Sequence, residues 1–130
     1  MKTSIGAPLE LADGRRFPIA RAVVANGFIF TAGQLGLNAA GALVAGGIEA
    51  QTRQALTNLG AVLVEAGGSF ADVVKITGWL TDPQHFAAYN AIYAEFFAQD
   101  PPARTMVASG LLLPGALVEI EAIATHPGQR

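Results

Sequence analysis

The segment LVEIEAIAT, residues 117–125, constrains the fold more than any other stretch. Its apolar and acidic residues alternate, and alternate residues of a strand share a face. Val118, Ile120, Ala122 and Ala124 point one way, while Leu117, Glu119, Glu121 and Ile123 point the other. The first set is a core face. The second puts two carboxylates on a partly apolar surface. Burying a carboxylate without a partner is costly, so at least one of these glutamates must face a cation, water or a ligand.

The remaining elements follow from spacing and punctuation. RAVVANGFIFTAGQLGL predicts two strands joined at Asn26-Gly27, because a tight hairpin turn needs positive φ there. A further N-terminal strand is expected at Leu9–Leu11. Ile48, Ala55, Leu56, Leu59, Val62, Leu63 and Ala66 recur at helical spacing, with Gln51, Arg53, Gln54, Asn58 and Glu65 between them. That predicts a helix over 48–66, ended by Gly67-Gly68. Ser69 with Asp72 marks a single helical turn, and VVKITGWL (73–80) a strand. Asp82-Pro83 is a helix entry, with Phe86, Tyr89, Ile92, Tyr93, Phe96 and Phe97 as the apolar stripe and Pro101-Pro102 as the stop. Two last strands, 104–109 and 117–125, are expected to flank a turn at Pro114-Gly115. The order is β-β-α-β-α-β-β, an α+β sheet with two helices on one face.

Length and composition set the bounds. With 130 residues the chain reads as one domain, 1–130. Hydrophobic residues make up 52% and charged residues 14%. No apolar run reaches the roughly 18 residues that span a bilayer. Several strands are apolar on both sides, and two helices cover one face. Self-association is the simplest cover for the other. Net charge is −2 and the eight basic residues are scattered, so there is no electrostatic footprint for nucleic acid. The absence of cysteine excludes disulfides, thiolate metal sites and cysteine nucleophiles. Neither His85 nor His126 has a second histidine at metal spacing. The start, MKTSIGAPLELADGRR, has no apolar signal region, and a cytoplasmic location is the expectation.

Arg104 is the obvious cation for the glutamates, but simple geometry resists the pairing. A hairpin centred on Pro114-Gly115 sets Arg104 opposite Thr125. Glu119 then lies about six residues further along, roughly 20 Å at strand rise. Either the two charges meet across a subunit boundary, or each has a separate structural job as a strand-start ion pair and a solvated edge charge.

PPARTMV…LLLPGALVEIEAIA resembles the C-terminal signature of the Rid (reactive intermediate deaminase) family, also called YjgF or L-PSP, including the fifteen-residue step from Arg104 to Glu119. FIFTAGQLG is similar to the family's Ser/Thr-x-Gly-Gln strand end. The stretch from Gln51 to Asp82 is similar to its first helix and next strand, and FAAYNAIYAEFF, with Asn90, to its second helix. The resemblance implies a chorismate-mutase-like fold and a barrel-centred homotrimer with clefts between subunits. It implies cofactor-independent hydrolysis of 2-imino or 2-enamino acids, of the 2-aminoacrylate type, to 2-keto acids and ammonia. Arg104 would clamp the substrate carboxylate, and Glu119 would handle the proton of the attacking water. Thr31, Gly33 and Asn90 would add polar contacts. Ile19 stands where archetypal members place a cleft tyrosine, and Met106 where many have cysteine, which implies a more apolar pocket and a substrate range shifted toward bulkier imino acids. The same residues would serve a deaminase of another substrate, such as 2-aminomuconate, or a non-catalytic ligand-binding or regulatory trimer. A ribonuclease, a role described for some relatives, would want the basic groove this chain lacks.

Overall fold

The computed structural model describes residues 1–128. The strands are β1 (Thr3–Ile5), β2 (Ala22–Ala25), β3 (Phe28–Thr31), β4 (Gln34–Leu35), β5 (Val73–Leu80), β6 (Ala103–Ala108) and β7 (Val118–Thr125). The helices are α1 (Gly47–Glu65) and α2 (Phe86–Phe96). All seven strands join one mixed sheet in the order β1-β2-β3-β7-β5-β6, with β4 continuing along β7 after β3.

The local signals act as the chemistry requires. Asn26 and Gly27 have φ of 56° and 80°, the positive pair of a two-residue hairpin, and Ala25 faces Phe28 across it. Asp72 accepts hydrogen bonds from the amide (2.9 Å) and hydroxyl (3.2 Å) of Ser69, closing the helical turn at 70–72. Asp82 accepts from the Gln84 amide at 2.8 Å and opens a short 3₁₀ turn that leads into α2.

Three expectations give way. The N-terminal strand is Thr3–Ile5, paired with β2, whereas Leu9–Leu11 holds only an isolated bridge from Glu10 to Arg16. α1 is also not apolar on one side and solvated on the other. Gln51 and Thr52 are buried, and Gln51 donates to the Gly115 carbonyl (3.0 Å) while accepting from the Leu117 amide (2.8 Å). The third concerns the last two strands, which do not form a hairpin about Pro114-Gly115. β6 runs parallel to β5, with Ile76 beside Arg104, and β7 pairs antiparallel with the other edge of β5. The physical reason is α2. A strand, a helix and a strand make the crossover that parallel pairing needs, so β6 docks on β5 and the chain must pass over the sheet end before β7.

Both helices pack on one face. Leu56, Leu59 and Leu63 of α1 and Tyr89 of α2 meet Ile29, Ile76, Val118, Ile120 and Ala124 in a core where each is completely buried. The opposite face carries Phe28, Phe30, Thr77, Trp79, Val107, Glu119, Glu121 and Ile123, by the strand pairings. Phe28 and Phe30 are 39% and 43% exposed there, with ring centroids 6.2 Å apart. No helix among the described residues is long and apolar enough to cross a membrane.

Candidate functional site

The two charged residues singled out by sequence sit on different faces. Arg104 shares the register of Ile76, so its side chain points to the helix side of edge strand β6. There its guanidinium carbon lies 4.7 Å from the Tyr93 ring centre, 5.5 Å from Phe86 and 5.7 Å from Tyr89. Guanidinium faces stack well on aromatic rings. Among the described residues no side-chain hydrogen bond or ion pair occupies Arg104; the three ion pairs present are Arg15–Asp13, Arg16–Glu10 and Arg53–Glu95. Its planar donor fork is thus held from beneath and left unpaired at its edges.

Asn90 belongs to this half by helical spacing, lying four residues after Phe86 and three before Tyr93. The hydroxyls of Tyr89 and Tyr93 are buried without a hydrogen-bond partner. Burial pushes both phenols up, against the opposing pull of the Arg104 charge.

Glu119 lies on the open face of β7, between Leu35 of β4 and Trp79 of β5. The way β3 hands over to β4 positions it. Phe30 faces Ile123 and Gln34 faces Ile120, so four steps along one edge match three along β7. That extra residue is a bulge, and bulges re-aim side chains beside functional sites. Within it Thr31 Oγ1 accepts the Ala122 amide at 2.9 Å, and Gln34 Nε2 donates to the Ala32 carbonyl at 3.1 Å. Gly33 leaves the space that the Glu119 carboxylate fills; a side chain there would collide with it. Asn58 of α1 braces the same loop, donating to the carbonyls of Leu35 (3.0 Å) and Leu37 (2.8 Å).

Desolvation raises the pKa of the Glu119 carboxyl, and the neighbouring Glu121 charge raises it further. No cation offsets either effect among the described residues. Ile19, 43% exposed, lines a cleft of about 280 Å³ with Arg21, Gly33, Asn38, Gln54 and Asn58.

The expected residues therefore fall into two separate groups. One holds Glu119, Gly33, Thr31 and Ile19 around the bulge, and the other holds Arg104 and Asn90 with the α2 rings. The chain does not bring Arg104 and Glu119 together, and their separation comes from opposite faces of the sheet rather than from hairpin register. Thr31 is tied to the sheet by accepting the Ala122 amide, which leaves its hydroxyl proton and one lone pair for other partners. The aromatic cradle under Arg104 was legible only as an apolar stripe. Its signal was the pair of tyrosines at 89 and 93, each carrying a polar atom into an otherwise apolar face.

Such a layout, a sheet backed by two helices with a carboxylate and a cationic fork on separate faces, defines a small α+β domain. Residues 16–126 match the family model described as Endoribonuclease L-PSP. The chain is 46% identical over 113 residues to a RutC family protein of Synechocystis, covering 85% of this chain and 87% of that one. It is 44% identical over 110 residues to the 2-iminobutanoate/2-iminopropanoate deaminase of Capra hircus, covering 84% and 80%. The crystal structure of a Rid family protein from Yersinia pestis superposes with a TM-score of 0.86 at 38% identity, covering 96% of this chain and 99% of the other. The chain belongs to the Rid (L-PSP) family, and its mixed sheet with two helices is that family's chorismate-mutase-like fold.

Proposed function

We propose that this protein hydrolyses 2-imino or 2-enamino acids to 2-keto acids and ammonia, without a cofactor, in clefts shared by neighbouring copies of a homotrimer. The observation that carries this is Arg104, a guanidinium laid over three aromatic rings with no acidic partner among the described residues. A planar fork of that kind suits a planar carboxylate, which it binds through two parallel charge-assisted hydrogen bonds. The open face, with its exposed Phe28, Phe30 and Val107, is the surface a second copy would cover. Covering it brings the Glu119 half of one copy toward the Arg104 edge of the next.

The chemistry then needs little. Water adds to the imine carbon and yields a carbinolamine. A proton reaches the nitrogen, ammonia leaves, and the ketone remains. A carboxyl with a raised pKa suits both taking the proton from water and returning it to the departing nitrogen, and Glu119 has that shift. The Gly33 amide and the Asn90 side chain supply polar contacts, and Ile19 an apolar wall. The related deaminase of Capra hircus supports the reaction class. The net charge of −2 and the scattered basic residues favour a small acid over RNA as substrate.

The test is hydrolysis of imines generated in situ. Arg104→Ala is expected to raise KM and lower kcat/KM by about 10²-fold or more, the loss of a charged contact of about 3 kcal/mol. Glu119→Gln lowers kcat. Mixing the two impaired variants under subunit exchange raises activity toward about a quarter of the wild-type value, because about one cleft in four of a randomly mixed ring keeps both groups. A wild type no faster than buffer with every imine tried removes the deaminase; active wild type without complementation removes the shared cleft.

A further inference from the structure

An apolar cavity of about 230 Å³ opens beside Arg104, lined by Leu80, Pro83, Phe86, Met106, Val107 and Ala108. The Phe86 ring is common to both, since it lies 5.5 Å from the guanidinium carbon and also walls the cavity. Arg104, Met106 and Ala108 follow one another on the same side of β6. A carboxylate held by Arg104 therefore has this cavity next to it along the strand. In a 2-imino acid the side chain starts one carbon beyond the carboxylate.

The cavity has no polar side chain in its wall. A hydroxyl or charge placed there would lose water without gaining a partner. It is also far larger than the roughly 30 Å³ share of one water molecule, so a methyl group would leave most of it wet. Its depth has a structural origin. Gly78, in the interior of β5, has no side chain, and a Cβ there would lie 2.7 Å from the Met106 sulfur and 3.3 Å from the Tyr89 hydroxyl. Glycine weakens a strand interior and marks a close approach. Here it lets the Met106 thioether sink toward the sheet and stay out of the cavity.

We infer that this cavity, given the deaminase function proposed above, receives the substrate side chain and selects 2-imino acids with an unbranched or branched aliphatic, or thioether, chain longer than methyl. Met106, set by Gly78, is its floor, and Ala108 keeps one wall low.

The experiment measures binding of the product-type 2-keto acids, with methyl, ethyl, n-propyl and isobutyl side chains, by calorimetry. In the wild type Kd falls about fourfold for each added methylene that is buried. Gly78→Ala lifts the flexible end of Met106 into the cavity, and Ala108→Leu fills it from the side. Each flattens the series, weakening the isobutyl acid at least tenfold more than the methyl acid. Wild-type affinity that is flat, absent or weaker with longer chains overturns the inference, as does equal weakening of short and long acids in the variants. Imine hydrolysis is assayed on the same proteins. A graded series without hydrolysis removes the deaminase and keeps the pocket, whereas hydrolysis without the gradient removes the pocket alone.

Discussion

The two faces of the sheet treat the same strand in opposite ways. On the helix side of β7, Val118, Ile120 and Ala124 are fully buried against α1. On the other side Glu119 and Glu121 share a surface with Trp79, Ile123 and the exposed phenylalanines. The helix face closes its apolar core within one chain. Even Arg104, which points to that side, finds its cradle there at the rim. The open face leaves Phe28, Phe30 and Val107 exposed, and its Glu119 carboxyl has a raised pKa and no cation among the described residues. The core thus lies on one face, while each face leaves one charged group unpaired among the described residues, Arg104 at the helix-side rim and Glu119 on the open side.

The most disruptive way to break that contrast is Phe30→Asp. A new charge on the open face is expected to break the proposed homotrimer, cutting the sedimenting mass to about a third by loss of cyclic assembly, and to abolish the proposed imine hydrolysis, with far-UV circular dichroism retained. An unchanged mass would mean that this face is not the interface. Ile120→Ala attacks the other face, leaving a cavity under α1. Denaturant unfolding should show a loss of about 2–5 kcal/mol.

Gln51→Ala should cost less, about 1–3 kcal/mol, by leaving the Gly115 carbonyl and Leu117 amide unpaired. Because those groups lead into β7, the variant should also loosen Glu119, seen as faster amide exchange at residues 117–119.

The smallest effect has the opposite sign. Desolvation raises the Glu119 pKa in the folded chain. Between its ordinary value and the raised one, the folded state holds the proton more than the unfolded chain does. Stability therefore falls as pH rises through that window, and ionised Glu119 is destabilising at neutral pH. Glu119→Gln should raise Tm slightly at pH 7 and remove that part of the pH slope. A lower Tm would mean that Glu119 has a stabilising partner in the assembled protein.

Legibility in the sequence followed the range of the interactions. The 26–27 turn, the caps at Asp72 and Asp82, and both helices depend on residues a few positions apart, and each stands where spacing put it. The alternation in 117–125 correctly sorted core from open face. The pairing of β6 and β7 did not follow from nearness in sequence, because α2 had already committed β6 to a parallel crossover. Gln51 and Asn58 looked like surface polar residues until loops far away in sequence arrived to accept and donate their hydrogen bonds.

By itself the sequence determined which residues carry charge into apolar strands, since alternation and residue chemistry are local properties. Which face each charge occupies, what lies beneath the Arg104 guanidinium, and that Gly33 and Gly78 make room for Glu119 and Met106 were decided only by tertiary structure. Those are contacts between segments distant in the chain, and only the packed sheet order, with its one extra residue before β4, brings them into register.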